Sequence, residues 1–256
     1  MDNPLDCGLQ LNTVKVDYGP LLDNIFKSCS GRCVIGTLNI NSLPSKWLEV
    51  QEWIRSFDIL SIQETKIDST FPKSQFPLQG YDTYQRDRKK GGGGILLYVR
   101  NSIPCYQIKT KCGEVEAILI DIQRGQQHFS LLLAYKPPSV KNEIFTREMS
   151  VLLDLAILNC PDVICIGDLN CDLLHPVGNG KQGRNLLDIC DVYDLHNLIN
   201  VPTRVSSTKE SYLYVILTNV PSLVLKSGTV DIGLSDHMLI YTILNKKLMK
   251  LKARFI

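Results

Sequence analysis

The sequence predicts an α/β fold in which two mixed β-sheets pack against each other and helices flank them, giving a four-layer sandwich. Most strand-like segments follow one another closely, as hairpins do, and segments with helical periodicity stand between pairs of them. The 256 residues are 44% hydrophobic and 21% charged, which is ordinary for a globular protein with a substantial core. One large α/β domain therefore accounts for the chain.

The first half of the chain is expected to start with a loosely attached arm, because residues 1 to 30 show little hydrophobic periodicity. The domain itself would span residues 31 to 246. An amphipathic helix is predicted at about 46–56, where Trp47 and Val50 share one face. Strands are predicted in the apolar stretches 34–39, 59–62, 83–86 and 95–99.

The second half is predicted to combine hairpin strands with two further helices. The helices are expected at about 143–158 and 185–191. The strands are expected at 117–122, 129–135, 163–166, 214–218 and 239–244. Residues 247 to 256 would form a basic C-terminal tail.

Four short polar segments stand beside apolar runs, at the places where strands are expected to end or begin. They are Asn39-Ile40-Asn41, Gln63-Glu64-Thr65, Gly167-Asp168-Leu169-Asn170 and Ser235-Asp236-His237. Each one alone is also typical of an ordinary turn or a solvated loop. A carboxylate can hold a hard metal ion, and an imidazole can stabilise charge on a phosphate oxygen. The recurrence of such polar segments along the chain indicates one polar site built from several loops.

In this order the segments resemble the endonuclease/exonuclease/phosphatase superfamily, and most nearly the apurinic-endonuclease-like domain of non-LTR (LINE-type) retrotransposons. Further matching segments are Gly80 to Arg88, the glycine run Gly91 to Gly94, Pro202-Thr203-Arg204 and Ile216 to Val224. The resemblance covers about residues 31 to 246. It implies a DNase I-like sandwich that hydrolyses phosphodiester bonds of double-stranded DNA with Mg²⁺, or alternatively Mn²⁺, and without a small-molecule cofactor.

The resemblance also implies roles for individual residues. Glu64 would hold the divalent metal, with Asp236 and Asn39 nearby in the same site. Asp168 would position and deprotonate the attacking water, and Asn170 would orient Asp168 or donate to a phosphate oxygen. These roles agree with the chemistry, since Mg²⁺ prefers oxygen ligands and water needs a general base to attack a phosphate at neutral pH.

Two further roles are implied at the ends of strands. The hydroxyl of Tyr135 would reach the phosphate, although a tyrosine in such a place is also typical of a packing residue with a wet hydroxyl. His237 would contact the scissile phosphate and stabilise the charge of the transition state.

One position departs from the family pattern. The family has an Asp that hydrogen-bonds the catalytic His, and Tyr214 stands in its place within Ser211-Tyr212-Leu213-Tyr214-Val215. A phenol can accept a hydrogen bond from imidazole but carries no charge at neutral pH. It is also larger than Asp, and could push His237 or its own strand out of place. We therefore expect this copy to bind metal and DNA but to cut slowly or not at all.

The net charge of +2 is too small to predict nucleic-acid binding by itself. A local cluster is more informative, and we expect it to contact DNA beside the site. It consists of Arg86, Arg88, Lys89 and Lys90, which lead into Gly91 to Gly94. Asn41 is assigned to DNA binding by the resemblance. A second basic cluster, from Lys246 to Arg254, is equally typical of a solvated tail. The glycine run lacks the Lys-Ser/Thr and the helix of a nucleotide-binding loop.

The nine cysteines are scattered without CxxC spacing, so we expect neither a zinc site nor a disulfide framework. Neither a signal peptide nor an apolar run of membrane-spanning length is present, so no membrane partner is expected. The expected location is intracellular, in the nucleus for an active retroelement endonuclease and in the cytoplasm otherwise. A full-length element would carry a reverse transcriptase, and none follows Ile256.

Three classes of function stay open on the sequence. The first is an endonuclease that nicks duplex DNA. The second is a non-catalytic DNA-binding remnant of a retroelement, which Tyr214 favours. The third is a phosphatase or phosphodiesterase for lipid or small-molecule phosphates, which the superfamily includes. The basic segment from Arg86 to Lys90 favours DNA as the substrate.

Overall fold

The computed structural model describes residues 18–247 apart from 69, 73–74, 89–91, 112, 125–126, 178–180 and 206–209. The α-helices in this part of the chain are α1 Tyr18–Phe26, α2 Trp47–Trp53, α3 Asn142–Asn159 and α4 Gln182–Val192. The strands of the N-terminal half are β1 Arg32–Asn39, β2 Ile59–Gln63, β3 Tyr81–Arg86, β4 Ile95–Arg100, β5 Cys105–Ile108, β6 Glu116–Arg124 and β7 Gln127–Tyr135. The remaining strands are β8 Val163–Asp168, β9 His196–Asn197, β10 Arg204–Val205, β11 Glu210–Ser211, β12 Tyr214–Thr218, β13 Val224–Val230 and β14 Leu239–Lys247.

Two six-stranded sheets form the centre of the protein. The first has the order β13-β14-β1-β2-β4-β3 and the second the order β5-β6-β7-β8-β12-β9. Each is mixed, because β1 runs parallel to β2 and β7 parallel to β8, while the other neighbours within these sheets are antiparallel. This arrangement confirms the predicted class, two mixed sheets flanked by helices.

Alternating side chains divide the core into three apolar layers. In β1, Ile35 packs between the two sheets, whereas Leu38 belongs to the layer that α1 and α2 cover. On the other side, Leu132 of β7 and Phe145 of α3 lie in the layer between the second sheet and its helices. Strands covered on both faces are apolar nearly throughout, as in β2 and β8, which are buried along their whole length.

The N-terminal region differs from the expected loose arm. Residues 18 to 29 form α1 and a short 3₁₀ turn, and Leu22 and Phe26 are buried in the core. The Phe26 ring packs edge-on against Phe57 and Tyr241 at 5.3 and 5.2 Å between ring centroids. The folded unit therefore begins no later than residue 18. Residues 1 to 17 of the expected arm lie outside the described residues.

The predicted elements correspond to observed ones, with shifted ends. The helix expected at 46–56 is the shorter α2 with 3₁₀ turns on both sides. The strands that were not predicted are β5, β9, β10, β11 and β13. Of these, β13 pairs with β14 and so extends the first sheet at its edge. Of the predicted C-terminal tail, residue 247 ends β14, and residues 248 to 256 lie outside the described part of the chain.

Within the described residues, none of the helices is long and apolar enough to cross a membrane. The described cysteines are all free, namely Cys29, Cys33, Cys105, Cys160, Cys165, Cys171 and Cys190. Burial raises the pKa of the Cys171 thiol to about 12 and so keeps it protonated at neutral pH.

Candidate functional site

The site lies where strands from both sheets end next to one another. Asn39 and Gln63 are register partners at the carboxyl ends of β1 and β2 in the first sheet. In the second sheet, Tyr135 ends β7 and Asp168 ends β8. Tyr214 begins β12 and is the cross-strand partner of Asp168. The topology thus brings together side chains that are up to 175 residues apart in the chain.

Gln63 links the two sheets and fixes the main chain at Asp168. The Asp168 N–H donates to Gln63 Oε1 at 3.0 Å, and Gln63 Nε2 donates to the Ala134 carbonyl at 3.1 Å. Gln63 is fully buried. Gln63 was not among the predicted site residues, although a glutamine at the end of an otherwise apolar strand signals a buried polar group that needs partners.

Asp168 is fully buried and accepts hydrogen bonds on both carboxylate oxygens. Asn39 Nδ2 donates to Oδ2 at 3.1 Å, and the main-chain N–H of Asn170 donates to Oδ1 at 3.0 Å. Burial raises the pKa of Asp168 to about 6, while hydrogen bonds from Asn39, Asn170 and the Tyr214 side chain oppose the rise. Asp168 is therefore mostly ionised at neutral pH and still basic enough to accept a proton.

Asn170 acts on Asp168 through its main chain. It adopts a left-handed conformation, with φ of 47°, directly after the strand. Its side-chain amide donates to the Lys136 carbonyl at 2.8 Å, which ties the loop after β8 to the end of β7. Two roles were expected for Asn170, namely to orient Asp168 or to donate to a phosphate oxygen. The observed geometry agrees with the first role.

Glu64 follows β2 in a left-handed conformation, with φ of 51°. Its Oε1 accepts hydrogen bonds from Asn39 Nδ2 at 2.7 Å and from the Tyr135 hydroxyl at 2.8 Å. Tyr135 therefore contacts Glu64, the expected metal ligand. Burial and the neighbouring Glu64 raise the pKa of Tyr135, so its hydroxyl keeps the proton that it donates.

The donor set around Glu64 fits a hard cation only in part. Glu64 and Asn39 supply carboxylate and amide oxygens, the ligand type that Mg²⁺ prefers, and Mg²⁺ commonly binds through only one or two carboxylates. Asp236, the third expected ligand, instead pairs with Arg204, whose Nε and Nη2 lie 2.7 and 2.6 Å from Oδ2. Among the described residues, no three His, Cys, Asp or Glu side chains are grouped closely enough to enclose an ion.

His237 is buried against Tyr214. The Tyr214 hydroxyl lies 2.5 Å from His237 Nδ1, and the two rings meet edge-on at 5.3 Å between centroids. On the other side of the ring, Nε2 is 3.4 Å from Asp236 Oδ1. Burial lowers the pKa of His237, although Asp236 opposes the shift. The neutral ring is therefore favoured at neutral pH.

Tyr214 does not distort its surroundings in the way that its size had suggested. Its strand keeps a regular antiparallel register with β8, and its side chain is fully buried in the layer between the sheets. Its main-chain N–H donates to Thr203 Oγ1 at 3.0 Å. The strand that carries Tyr214 is therefore not displaced, and the ring packs in the apolar layer between the sheets.

The segment Pro202-Thr203-Arg204 supports this region, a role that sequence reasoning missed. Thr203 Oγ1 also accepts from the Leu213 N–H at 3.0 Å, and the Thr203 carbonyl accepts from the Met238 N–H at 2.9 Å. Thr203 thus holds the strand that carries Tyr214 beside the loop that carries His237. Arg204 holds Asp236 in the same way. The sequence signal was present, because this segment belongs to the family resemblance.

Part of the basic segment lies at the edge of the site. Arg88 is about two-fifths exposed and pairs with the buried Glu116 at 3.6 Å between Nε and Oε1. Glu116 Oε2 also accepts from the Gly94 N–H at 2.6 Å. Glu116 is the cross-strand partner of Tyr135, so Arg88 is anchored close to the polar site. Lys89 and Lys90 lie outside the described residues.

Asn41, expected to contact DNA, is an exposed residue in a left-handed turn, with φ of 49°. Its side-chain oxygen accepts from Lys66 Nζ at 2.6 Å. The pair presents polar and positively charged groups next to Glu64, on a turn fixed by the hydrogen bond from the Ser42 N–H to the Glu64 carbonyl at 2.8 Å.

Comparison with known proteins gives a family and a fold. The model of the "Endonuclease/Exonuclease/phosphatase family" matches residues 36–237. The endonuclease domain of TRAS1, a telomere-specific non-LTR retrotransposon, is 18% identical, with a TM-score of 0.65 over 83% of this chain and 98% of that one. The 3' phosphatase NExo from Neisseria, bound to a product DNA hairpin, is 16% identical, with a TM-score of 0.64 over 84% of this chain and 100% of that one. An AP endonuclease from Archaeoglobus fulgidus is 17% identical, with a TM-score of 0.63 over 84% and 100% of the two chains. No curated protein matches the chain.

Proposed function

The chain belongs to the endonuclease/exonuclease/phosphatase family, and from this premise we propose that it is a metal-dependent endonuclease that nicks duplex DNA. Membership of the family supports a hydrolase of the nuclease type. The observation that carries the finer proposal is the placement of Asp168, a fully buried carboxylate hydrogen-bonded to Asn39 beside Glu64.

Asp168 is the proposed general base. Its pKa of about 6 makes it ionised at neutral pH and matched to accepting a proton from water. Asn39 and the Asn170 main chain hold the carboxylate in one orientation, and Gln63 holds its main chain. The base is therefore positioned before substrate arrives, so little rearrangement opposes the reaction.

Glu64 and Asn39 are the residues that would hold the divalent ion, Mg²⁺ or Mn²⁺. When bound, such an ion would stabilise the negative charge that develops on the phosphate. Tyr135 keeps the Glu64 carboxylate in place by donating to Oε1. Asp236 would join this group only after its pairing with Arg204 is given up.

His237 would stabilise charge on a non-bridging phosphate oxygen, and Arg86, Arg88 and Asn41 would contact the DNA backbone. Phosphate contacts by exposed arginines supply affinity without sequence preference. The exposure of Arg88 beside the site supports a nucleic-acid substrate over a small phosphate ester. The retrotransposon endonuclease and the DNA hairpin complex among the similar structures support the same choice.

Tyr214 is the reason to propose a slow enzyme. An ionised Asp in its place would stabilise a protonated His237, and the neutral phenol does not. In a serine-protease triad, replacing the orienting carboxylate by a neutral group costs about four orders of magnitude in rate. The second candidate, a DNA-binding remnant without activity, rests on the same substitution.

Nicking of supercoiled plasmid tests the proposal. The chain would be compared with Tyr214→Asp, Asp168→Ala and His237→Ala, each with Mg²⁺ and with EDTA. We expect slow, metal-dependent nicking that Asp168→Ala abolishes and Tyr214→Asp accelerates. Absence of nicking by the parent chain, with activity in Tyr214→Asp, would identify the remnant. Absence of nicking in both, with hydrolysis of a small phosphate ester instead, would contradict the endonuclease proposal.

A further inference from the structure

Glu116 is a buried carboxylate that the proposed reaction does not use. It begins β6 and is 4% exposed. Its cross-strand partner is Tyr135, whose ring packs between the two sheets and whose hydroxyl donates to Glu64. Directly opposite residues of an antiparallel pair point to the same face of the sheet. Glu116 therefore faces the layer between the sheets, on the same side as the polar site.

Both carboxylate oxygens of Glu116 contact the turn between β3 and β4. Oε2 accepts from the Gly94 N–H at 2.6 Å, and Oε1 lies 3.6 Å from Arg88 Nε. Burial raises the pKa of Glu116, while the Gly94 N–H and the charge of Arg88 oppose the rise. These contacts offset the cost of burying a charge, and such a pair adds little net stability to a fold. The effect of Glu116 on Arg88 is therefore the more informative reason for a carboxylate at this position.

The glycine turn is shaped around this ion pair. Gly93 adopts a φ of 69°, and a Cβ atom there would collide with Glu116 Oε1 and lie 2.8 Å from Arg88 Cδ. The Gly93 carbonyl accepts from the Lys66 N–H at 2.9 Å, two residues after Glu64. The turn is thus fixed on one side by the loop that carries Glu64, and it leaves room for the contact between Arg88 and Glu116.

The ion pair restrains Arg88 by one edge of its guanidinium group. A guanidinium donates from Nε and from both Nη nitrogens in a rigid planar fork. Pairing through Nε leaves the Nη donors to a second acceptor, and the Arg88 side chain is about two-fifths exposed. Two parallel N–H donors match the oxygens of a phosphate. An arginine that is already held in one orientation also loses less conformational entropy when it binds.

We propose that Glu116 is a positioning residue for DNA binding, which holds Arg88 by Nε so that its Nη donors face a DNA phosphate beside Glu64. The inference rests on the proposed function, because it takes DNA as the ligand. It gives a negatively charged residue a favourable effect on the binding of a polyanion. General electrostatics predicts the opposite, since removal of a negative charge near DNA should strengthen binding.

The variant Glu116→Gln separates the two predictions. Its amide oxygen can still accept from the Gly94 N–H, whereas its NH₂ group cannot accept from Arg88 Nε. The measurement is the affinity for a short fluorescein-labelled DNA duplex, by fluorescence anisotropy with EDTA at low salt. We expect the affinity to fall about threefold, the scale of an ion pair with one exposed partner. Equal or tighter binding would overturn the proposal.

A double-mutant cycle with Arg88→Gln shows whether Glu116 acts through Arg88. Arg88→Gln alone should weaken binding about tenfold and lower the slope of log affinity against log salt by about one. In the Arg88→Gln background, Glu116→Gln should leave binding equal or make it tighter, because only the loss of a negative charge remains. Weaker binding in both backgrounds would indicate a loosened turn and would overturn the proposal.

Asp87→Asn is the matched charge control. Asp87 is an exposed carboxylate in the same turn, and it accepts from Gln85 Nε2 at 2.5 Å. Its replacement removes the same charge as Glu116→Gln but keeps the ion pair of Arg88. We expect equal or tighter DNA binding. A loss as large as that of Glu116→Gln would contradict a role that is specific to Glu116.

Arg88→Lys keeps the proposal testable even if Glu116→Gln does not fold, because Arg88 is exposed. Lysine keeps the charge but lacks the Nε and the planar fork. We expect weaker DNA binding with an unchanged salt slope, since the charge is kept and only the positioned fork is lost. An affinity equal to that of the parent chain would overturn the proposal.

These measurements do not depend on nicking. A chain that binds DNA and responds to Glu116→Gln as expected supports the positioning role even if it does not cut. A chain that nicks DNA, with Glu116→Gln binding as tightly as the parent, would overturn the positioning role alone. Failure of the parent chain to bind duplex DNA would overturn both proposals.

Discussion

Gln63 and Asp168 are joined across the two sheets by the hydrogen bond from the Asp168 N–H to Gln63 Oε1, at 3.0 Å. The same glutamine donates to the Ala134 carbonyl, so one side chain holds the ends of β7 and β8 against the first sheet. The geometry of the site thus depends on a residue that need not touch the substrate. This link can be tested by its effect on stability.

Replacement of Gln63 by Met removes both hydrogen bonds at nearly constant side-chain volume. It leaves a buried N–H and a buried carbonyl without these partners, so we expect a loss of about 2–4 kcal/mol in the free energy of unfolding. Urea unfolding measures the loss, and Gln85→Met, at an exposed position of β3, is the matched control. Equal stability of the two variants would mean that Gln63 does not hold the sheets together.

Asp168 should make the nicking rate depend on pH. Only the ionised carboxylate can act as base, so the rate should rise as pH increases through about 6 and then level off. The measurement is the initial rate at saturating metal between mildly acidic and mildly alkaline pH. A rate that is flat across this range would show that Asp168 is not the base that limits the reaction.

The same group should affect stability in the opposite direction. Its folded-state pKa of about 6 is above the usual value of 3.8, so its stabilising contribution is complete below 3.8 and is lost as pH rises through about 6. The loss amounts to about 3 kcal/mol. Asp168→Asn should lack this dependence. Urea unfolding of both proteins at a series of pH values tests this, and parallel curves would contradict it.

Lys136 should be replaceable by Met without loss of stability. Its side chain is fully buried, and no hydrogen-bond partner for Nζ is found among the described residues, although the ammonium lies 5.6 Å from the centre of the Phe145 ring. Burial lowers the pKa of Lys136 below 10.5. The unfolded chain therefore binds the proton more readily, and the stability of the parent chain should rise with pH between the lowered pKa and 10.5.

Thermal unfolding of Lys136→Met at neutral and alkaline pH measures both effects. At neutral pH we expect the variant to be at least as stable as the parent chain. At alkaline pH the parent chain gains stability, so the advantage of the variant should become smaller. A loss of more than about 2 kcal/mol at neutral pH would indicate a buried ion pair at this lysine.

Arg204 should weaken metal binding by occupying Asp236. Arg204→Gln removes the guanidinium that lies 2.6 Å from the carboxylate, so Asp236 becomes available to an ion near Glu64. We expect Mn²⁺ to bind about fivefold more tightly, which corresponds to about 1 kcal/mol, the scale of an exposed ion pair. Paramagnetic resonance of free Mn²⁺ measures the affinity.

Arg184→Gln is the control for this experiment, because it removes an exposed arginine paired with Asp188 on α4. A comparable gain in Mn²⁺ affinity in Arg184→Gln would indicate that the change in net charge is the cause. Weaker binding in Arg204→Gln would show that Asp236 needs Arg204 to be held in place.

The sequence predicted those parts of the site that local patterns carry. Asp168 and Glu64 each follow an apolar strand directly, so their position at a strand end could be inferred. The bond from Tyr135 to Glu64 and the pairing of Arg204 with Asp236 could not, because each depends on the packing of separate loops. Helix α1 was missed because it is short and opens with Tyr18-Gly19-Pro20, residues that do not signal a helix interior.

The effect of Tyr214 was the hardest to predict. Its identity as a departure from the family pattern was evident from the sequence. Whether the ring would fit depended on the free volume between the two sheets, which no local pattern reports. The regular register of Tyr214 with Asp168 shows that the ring fits.

The docking of helix α1 sets the practical limit for recombinant production of this domain. A polypeptide that starts at residue 31 would leave Phe57 and Tyr241 without the ring of Phe26. An apolar surface would then be exposed to water and would favour aggregation. It would also remove Tyr18, which packs closely against Gly233 at the start of the loop that leads to His237. The contact is so close that a Cβ atom added at position 233 would lie only 2.5 Å from the Tyr18 hydroxyl. A negative nicking assay on such a shortened polypeptide would therefore report lost solubility or a loosened loop rather than the chemistry of the site.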